Sequence, residues 1–298
     1  MEVKEHTEKE LQELIHKRSI SVEDPAGRPV RTVMDQDVLA IAAEYGTSVH
    51  DVYREMLKKE IYPYRYIRNR DAISTEEQLK LAVSRVAVIG AGGLGGNVIL
   101  LLARIGIGSL VVVDKDVFDE TNLNRQALCN MGTLGSPKAG EAVSAIAAIN
   151  RGVDVFPCQT KLDGSNARDI LVGSDVIVDA LDNVPDRLLL QEVARDLGIP
   201  LVHGTLAGFE GWIMTIFPGD MGLKNIYGAE GAGCVDQESP QAVLGVPGIT
   251  PSLIAALQVM EVLKILLVRG DVFRDRILHV DLEHGCVNEF SFGSPDSL

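Results

Sequence analysis

The chain has 298 residues, 46% of them hydrophobic, and a net charge of −14 at pH 7. This length suits one large α/β domain with an addition, or two domains, and the hydrophobic content is enough for a sizeable core. The acidic balance argues against broad binding to nucleic acids or acidic membranes, although a local basic site remains compatible with it.

The four cysteines lie far apart and form no CxxC pair: Cys129, Cys158, Cys234 and Cys286. Their spacing gives poor support for zinc and indicates a protein with reduced thiols in the cytoplasm. The polar first residues predict that no signal peptide is present. The most apolar helical segment, Ser252–Val268, carries Glu261 and Lys264, which favours a packed core helix over a membrane span.

Residues 1–60 are predicted to form a small helical extension. Apolar residues at helical spacing predict one helix around Leu11–Ile15, broken by the stretch Pro25–Pro29, and a second over 38–45. Gly46 ends the second helix, and Thr47 or Ser48 can cap a third.

The second and third of these helices resemble a helix-turn-helix with its turn at Gly46. Residues 1–60, however, carry nine Lys or Arg against 13 Asp or Glu, a net charge of −4. Because DNA-reading domains are usually basic, a docking or dimerisation module is favoured.

From Arg85 onward, predicted strands alternate with predicted helices. The strands are 85–89, 109–114, 154–159, 175–181 and the segment PLVHGTL; the helices are 97–105, 138–150 and 186–197. This alternation predicts a Rossmann-like, mostly parallel sheet with helices on both faces. Beyond Gly208 the pattern predicts a strand over 212–217, a Gly-rich loop over 218–247 and two late antiparallel strands over 276–282 and 286–292. That loop is long enough to suggest a function.

The segment Arg85–Gly96, RVAVIGAGGLGG, predicts a phosphate-binding turn between a strand and a helix. Its glycines, Gly90, Gly92, Gly93 and Gly95, allow the backbone to approach a phosphate, which the free N–H groups of the helix start then bind. Taken alone, the turn does not distinguish NAD, FAD and ATP.

The residues that follow favour ATP. Asp114 ends the second strand, where an acidic side chain can bind ribose hydroxyls. It opens a polar run, DKDVFDETNLNRQ, that an NAD-dependent dehydrogenase does not need. Asn122, Asn124 and Arg125 of this run could bind phosphates, as could Lys138 at the start of the next helix.

Asp182 follows the fourth strand, at the carboxyl end of the sheet where ligands bind in open α/β folds. One carboxylate together with a nucleoside triphosphate is a usual way to hold Mg²⁺. His203, after the fifth strand, could face the nucleotide, but a hydrogen-bonded core histidine is the preferred interpretation.

The segments GAGGLGG, VDKD, NLNRQ, SPKA and DALDN resemble, in order and spacing, the ThiF/MoeB/HesA adenylyltransferases of the ubiquitin-activating-enzyme-like superfamily. The resemblance runs from about Arg65 to Phe292 and includes GTLAGFEGWI and GVPGITPSLIAALQVMEVLKIL. It divides the chain into the extension, 1–60, and an adenylation domain, 61–298. Many family members bind structural zinc through two CxxC pairs, which this chain lacks, so no zinc is expected.

The resemblance implies ATP-dependent adenylation of the C-terminal glycine of a ubiquitin-like sulfur carrier ending in Gly-Gly, with release of pyrophosphate. It assigns ribose binding to Asp114 and magnesium to Asp182, and phosphate binding to Asn124, Arg125 and Lys138. The remaining nucleotide contacts implied by the motifs are the four glycines, Asp116, Asn122, Gln126 and Asn183.

Two further roles follow from the resemblance. Arg68 resembles the family's arginine that reaches into the partner subunit's site, which implies a homodimer. Cys234 lies where some members form a thioester or acyl-persulfide, and its role stays open between covalent catalysis and dispensability. A cysteine desulfurase or a rhodanese is a candidate sulfur donor.

Three alternatives remain. The same chemistry could act on a peptide or a tRNA-borne carboxylate, although the acidic balance weighs against tRNA. The chain could be an NAD-binding oxidoreductase, against which the NLNRQ run and Lys138 argue. It could also be a non-catalytic nucleotide-binding regulator acting through residues 1–60.

Overall fold

The computed structural model describes residues 2–228 and 240–292 and divides into two compact units. The first unit comprises Met1–Ser84, Ala103–Ser109 and Ala147–Asp154. The second comprises Arg85–Leu102, Leu110–Ile146 and Val155–Leu298.

The first unit combines helices with a small three-stranded sheet. Its elements in chain order are α1 (Glu2–Arg18), β1 (Ile20–Glu23), β2 (Pro29–Val33), α2 (Asp35–Tyr45), α3 (Val49–Lys58), β3 (Tyr62–Pro63), a 3-10 helix (Tyr64–Asn69) and α4 (Thr75–Val83). In the sheet, β2 lies between β1, to which it is antiparallel, and β3, to which it is parallel. The three predicted helices are present, and the compact unit extends past residue 60 to Ser84.

The sequence pattern does not predict the hairpin β1–β2, because the Pro25–Pro29 stretch indicates only the end of a helix. The Asp24 carboxylate folds this stretch into a tight turn by accepting hydrogen bonds from the backbone N–H groups of Ala26 and Arg28, both at 2.9 Å. Gly27 adopts the left-handed conformation (φ 77°) that such a turn requires. A local carboxylate-to-backbone turn therefore joins two strands where the sequence indicates only a break between helices.

The helix-turn-helix pair is formed as predicted, with Gly46 left-handed and Ser48 capping α3. Five of the ten residues of α3, from Val52 to Leu57, are buried. Val52 and Met56 are fully buried with Ile15, Val33 and Ile41 in the core of the unit. The helix at the position of a DNA-recognition helix is therefore a core helix.

The second unit is built on an eight-stranded sheet. The elements from Arg85 onward begin with β4 (Arg85–Ile89), α5 (Gly93–Ile105), β5 (Ser109–Val113), α6 (Lys138–Ile149), β6 (Asp154–Cys158), α7 (Ala167–Leu171), β7 (Val176–Asp179) and α8 (Val184–Leu197). They continue with β8 (Leu201–Ala207), β9 (Glu210–Ile216), α9 (Lys224–Tyr227), α10 (Pro240–Leu244), α11 (Ile249–Leu267), β10 (Arg276–Asp281) and β11 (Cys286–Ser291). The strand order is β11-β10-β9-β8-β7-β4-β5-β6.

The α/β class predicted from the sequence is confirmed. The strands β4, β7 and β8 are mutually parallel and almost completely buried, as expected of strands covered on both faces. The late strands β9 to β11 extend the sheet in antiparallel fashion. Helix α5 begins at Gly93, four residues before the predicted start, because its glycines occupy the first helical turn.

Helix α11 is long and apolar enough to cross a membrane by length and composition alone. Its polar side chains nevertheless bond to the sheet: Gln258 Nε2 donates to the carbonyl of Asp179 at 2.9 Å, and Glu261 Oε2 accepts from the Thr215 hydroxyl at 2.6 Å. Both side chains are fully buried. These contacts agree with the predicted core helix.

Candidate nucleotide-binding site

A cavity of about 270 Å³ opens at the carboxyl ends of β4, β5 and β7. Strand β4 lies between β5 and β7: the chain runs outward from β4 through β5 and β6 on one side, then crosses to β7 and β8 on the other side. Ligands of open α/β sheets bind at such a switch point. The cavity is lined mainly by four segments: Ile89–Gly93 (except Ala91), Val113–Asp116, Ala180–Asn183 and Gly204–Leu206.

The four predicted glycines divide into two pairs with different tasks. A Cβ at Gly95 would lie 1.8 Å from the carbonyl oxygen of Gly90, and a Cβ at Gly90 would lie 2.5 Å from that of Ala180. At Gly92 and Gly93 a Cβ would meet its nearest protein atom at 3.7 and 3.6 Å, which is ordinary contact. Close packing thus requires Gly90 and Gly95, whereas Gly92 and Gly93 have room for a Cβ and line the cavity.

Asp114 closes the turn after β5 with both of its carboxylate oxygens. Oδ2 accepts a hydrogen bond from the backbone N–H of Ala91 at 2.7 Å, and Oδ1 accepts from that of Asp116 at 2.8 Å. The carboxylate is therefore fixed against the glycine loop. Each oxygen retains acceptor capacity for a ribose hydroxyl.

Two cations predicted to bind phosphate line the same cavity. Lys138, only 7% exposed, opens α6, and its Nζ lies 3.6 Å from Asp116 Oδ2. Arg125 donates from Nη1 to the carbonyl of Thr121 at 2.6 Å and to Asn124 Oδ1 at 3.0 Å. These bonds engage Nη1, and the other N–H groups of the Arg125 guanidinium can donate to a ligand.

Gln126 lies beside Gly92 on the wall of the cavity. The residue is 6% exposed, yet its Oε1 has no hydrogen-bond partner among the described residues. A buried acceptor without a partner costs free energy. A donor from a bound ligand or an ordered water would satisfy it.

Asp182 and Asn183 follow β7 and also line the cavity. Asn183 caps α8, since its Oδ1 accepts from the Asp186 N–H at 2.9 Å. Asp182 is exposed, and its one hydrogen bond in the described chain is a long contact of 3.3 Å with Asn183 Nδ2. Its carboxylate is thus available to a ligand.

The remaining predicted site residues lie elsewhere. Asn122 is buried, and its Oδ1 accepts from the Asp119 N–H at 3.1 Å in a capping box; neither it nor the exposed Asn124 lines the cavity. Arg68 lies in the first unit, on the 3-10 helix, and is exposed. Cys234 lies outside the described residues. The nucleotide contacts of Asn122 and Asn124 and the roles of Arg68 and Cys234 stay predictions.

The structure adds cations that the sequence reasoning missed. Among the described residues that line the cavity, five side chains are basic and four are acidic; the missed cations are Lys115, Lys161 and Arg187. Lys161 Nζ pairs with Asp186 Oδ1 at 3.1 Å. The buried Arg187 donates from Nη2 to the carbonyl of Leu181 at 2.5 Å. The position of Arg187 one turn into a helix that follows DALDN was the available signal, because that turn faces the same loop.

His203 is a core residue, as expected. It is fully buried, and its Nδ1 lies 2.7 Å from Asp179 Oδ2. Burial lowers the pKa of His203 below its ordinary value of 6.5, against the opposing effect of Asp179. The ring is therefore neutral near pH 7 and donates its Nδ1 proton to the carboxylate.

Comparison with known proteins agrees with this geometry. The ThiF family model matches residues 66–297. The SAMP-activating enzyme E1 of Haloferax volcanii is 39% identical over 226 residues, which cover 73% of this chain and 80% of the relative. The sulfur carrier protein adenylyltransferase of Thermus thermophilus is 33% identical over 233 residues, covering 75% and 84% respectively.

Among solved structures, that of Escherichia coli MccB with succinimide shares the fold, with a TM-score of 0.66 at 17% identity over 87% of this chain and 84% of that one. The family match covers most of the chain and extends to the glycine loop, Asp114, Lys138 and Asp182. The chain belongs to the ThiF family.

Proposed function

We propose that this enzyme uses Mg-ATP to adenylate the C-terminal carboxylate of a small ubiquitin-like sulfur-carrier protein. Its family and two relatives, one named as an adenylyltransferase and one as an activating enzyme, identify the enzyme class. The observation that carries the proposal is the cavity itself, which combines a glycine cradle, a fixed carboxylate, buried cations and a free carboxylate.

The residues present fit ATP. Gly92 and Gly93 leave room against the backbone for phosphate oxygens, and Asp114 is oriented to accept the ribose hydroxyls. The phosphates would contact Arg125 and Lys138 at the start of α6. Phosphate binding between fixed N–H groups and cations is typical of such turns.

Asp182 fits magnesium held jointly with ATP. In residues 2–228 and 240–292, no group of three His, Cys, Asp or Glu side chains could hold a metal ion without the nucleotide. Magnesium commonly takes one carboxylate together with phosphate oxygens and waters. When bound, it would neutralise charge on the departing pyrophosphate.

In the proposed reaction the carrier's terminal carboxylate oxygen attacks the α-phosphorus of ATP. The bond from that phosphorus to the bridging oxygen breaks, and pyrophosphate leaves. Negative charge builds on the α-phosphate and the leaving group, so Arg125 and Lys138 stabilise the transition state more than the ground state. Removal of one such cation should lower the rate on the order of 10²–10³-fold.

The carrier is proposed on the names of the relatives. One relative is named as an enzyme that activates SAMP, and the other is named as an adenylyltransferase of a sulfur carrier protein. A homodimer in which Arg68 enters the partner's site, and covalent use of Cys234, are part of the same proposal. Mixing Arg68→Ala with Asp182→Ala subunits should restore partial activity if the site is shared, and no rescue would refute sharing.

The test is carrier-dependent exchange of labelled pyrophosphate into ATP. Exchange should require both magnesium and a ubiquitin-like carrier ending in Gly-Gly, and Asp182→Ala should abolish it. Asp196→Ala is the matched control, since within the described residues this exposed carboxylate on α8 has only a 3.8 Å contact with Arg195. Tight NADH binding with no response to Mg-ATP would instead support an oxidoreductase.

A further inference from the structure

The short 3-10 helix that carries Arg68 is held firmly at both ends. Arg68 itself is exposed and makes no hydrogen bond or ion pair within the parts of the chain that the structure describes. The residues beside it, in contrast, have specific partners within the first unit. The helix therefore presents one free cation from a fixed backbone.

The amino-terminal anchor is Arg65. Its guanidinium forms a two-pronged ion pair with Asp35: Nε donates to Oδ1 at 3.1 Å, and Nη2 contacts Oδ2. Its Nη1 donates to the carbonyl of Ile149 at 2.7 Å. Asp35, the first residue of α2, also accepts a hydrogen bond from the Tyr53 hydroxyl at 3.0 Å. Paired N–H to carboxylate bonds fix orientation as well as distance.

Tyr66 is anchored in the core beside this pair. Its ring is 3% exposed, and its hydroxyl accepts from Asn150 Nδ2 at 2.7 Å. The buried Asn150 also donates to the carbonyl of Ala103 at 2.9 Å. The helix is thus tied to the two later segments of the first unit.

The carboxyl-terminal anchor involves Asn69 and Arg70. Asn69 Nδ2 donates to Gln78 Oε1 at 3.2 Å, and Arg70 Nη1 donates to Asp24 Oδ2 at 3.0 Å. Asp24 lies in the β1–β2 turn and is 4% exposed. Both anchoring carboxylates, Asp24 and Asp35, therefore come from residues 1–60.

We propose that residues 1–60 position Arg68. Asp35 and Asp24 are the positioning residues, because they hold the 3-10 helix that carries Arg68. This inference rests on the proposed function, in which Arg68 supplies a cation to the adenylation reaction. A long arginine side chain reaches a reacting phosphate reproducibly only if its backbone is fixed. Residues 1–60 thus have a task in the adenylation reaction, separate from nucleic-acid binding.

The test is a double-mutant cycle between Asp35 and Arg68, measured by carrier-dependent pyrophosphate exchange. Arg68→Ala should lower the rate on the order of 10²–10³-fold. Asp35→Asn should lower it by about 10²-fold, the loss typical of a reacting group displaced by about 1 Å. In the Arg68→Ala background, Asp35→Asn should have no further effect.

Two variants control for general damage. Asp37→Asn changes another partly exposed carboxylate of α2, whose contact with Arg18 is 3.8 Å long, and should leave the rate unchanged. Asp35→Glu keeps the negative charge and should recover part of the activity. Tyr53→Phe replaces Asp35→Asn in the cycle if that variant does not fold, and its smaller loss should likewise disappear with Arg68→Ala.

Losses that multiply in the double variant would overturn the inference, because Asp35 would then act independently of Arg68. Full activity of Asp35→Asn, or of Arg68→Ala, would also overturn it. An inactive wild-type protein would instead refute the proposed function. The two failures are therefore distinguishable.

Discussion

Substitution of the glycines by alanine separates the part of the loop that packs from the part that faces ligand. Gly95→Ala places a Cβ 1.8 Å from the Gly90 carbonyl oxygen and 3.1 Å from the Ala180 Cβ. Because backbone cannot move aside cheaply, the free energy of unfolding should fall by about 3 kcal/mol or more, at or above the upper end of overpacking costs. Gly92→Ala makes only ordinary contact, 3.7 Å from Gln126, and should change stability by less than about 0.5 kcal/mol.

ATP binding, in contrast to stability, should be sensitive to the Gly92→Ala substitution. The methyl group of Gly92→Ala would keep phosphate from the backbone, and loss of a hydrogen bond to a charged group, about 1.5–3 kcal/mol, weakens affinity roughly 10- to 100-fold. Gly96→Ala is the control, because Gly96 lies on α5 but does not line the cavity. Its Cβ would lie 3.5 Å from Leu128, and ATP affinity should not change.

Denaturant unfolding and calorimetric titration with a non-hydrolysable ATP analogue measure both quantities. Wild-type affinity in a folded Gly92→Ala variant would refute the assignment of this face to phosphate. A stable Gly95→Ala variant would refute the packing argument.

Three further predictions concern the buried polar groups. Glu261→Leu leaves the Thr215 hydroxyl and a backbone N–H without their acceptor and should destabilise the protein by about 3–5 kcal/mol in denaturant unfolding; a change below 1 kcal/mol would contradict this. Since the folded state keeps His203 neutral, only the unfolded state gains its proton below pH 6.5, and stability should fall by up to about 1.4 kcal/mol per pH unit there. His203→Asn should abolish that component, and identical pH profiles would show that another group causes it. Asn150→Ala removes the donor to Tyr66 and should lower the thermal midpoint at a cost of about 1–3 kcal/mol, more than the partly exposed Asn166→Ala control.

Much of the fold follows from local pattern. The strands β4, β5 and β7 are short buried runs of β-branched residues, and each was located to within two residues. Parallel strands with intervening helices leave few topologies, so the switch point and the convergence of Asp114 and Asp182 there were predictable.

Features that depend on tertiary contact were not predictable. The β1–β2 hairpin depends on Asp24, whose partners Arg28 and Arg70 are known only once the unit is folded. The position of Arg187 after DALDN gives a sequence signal, but its buried contact with the Leu181 carbonyl depends on the folded loop. The different tasks of Gly92 and Gly95 likewise depend on which backbone lies opposite each Cα.

The most direct test of the account is the intact mass of a ubiquitin-like carrier ending in Gly-Gly after incubation with this enzyme, ATP and magnesium. The carrier should gain one AMP at its C-terminal carboxylate, with release of stoichiometric pyrophosphate, and should gain none with Asp182→Ala. A carrier of unchanged mass under conditions where the enzyme binds ATP would contradict it.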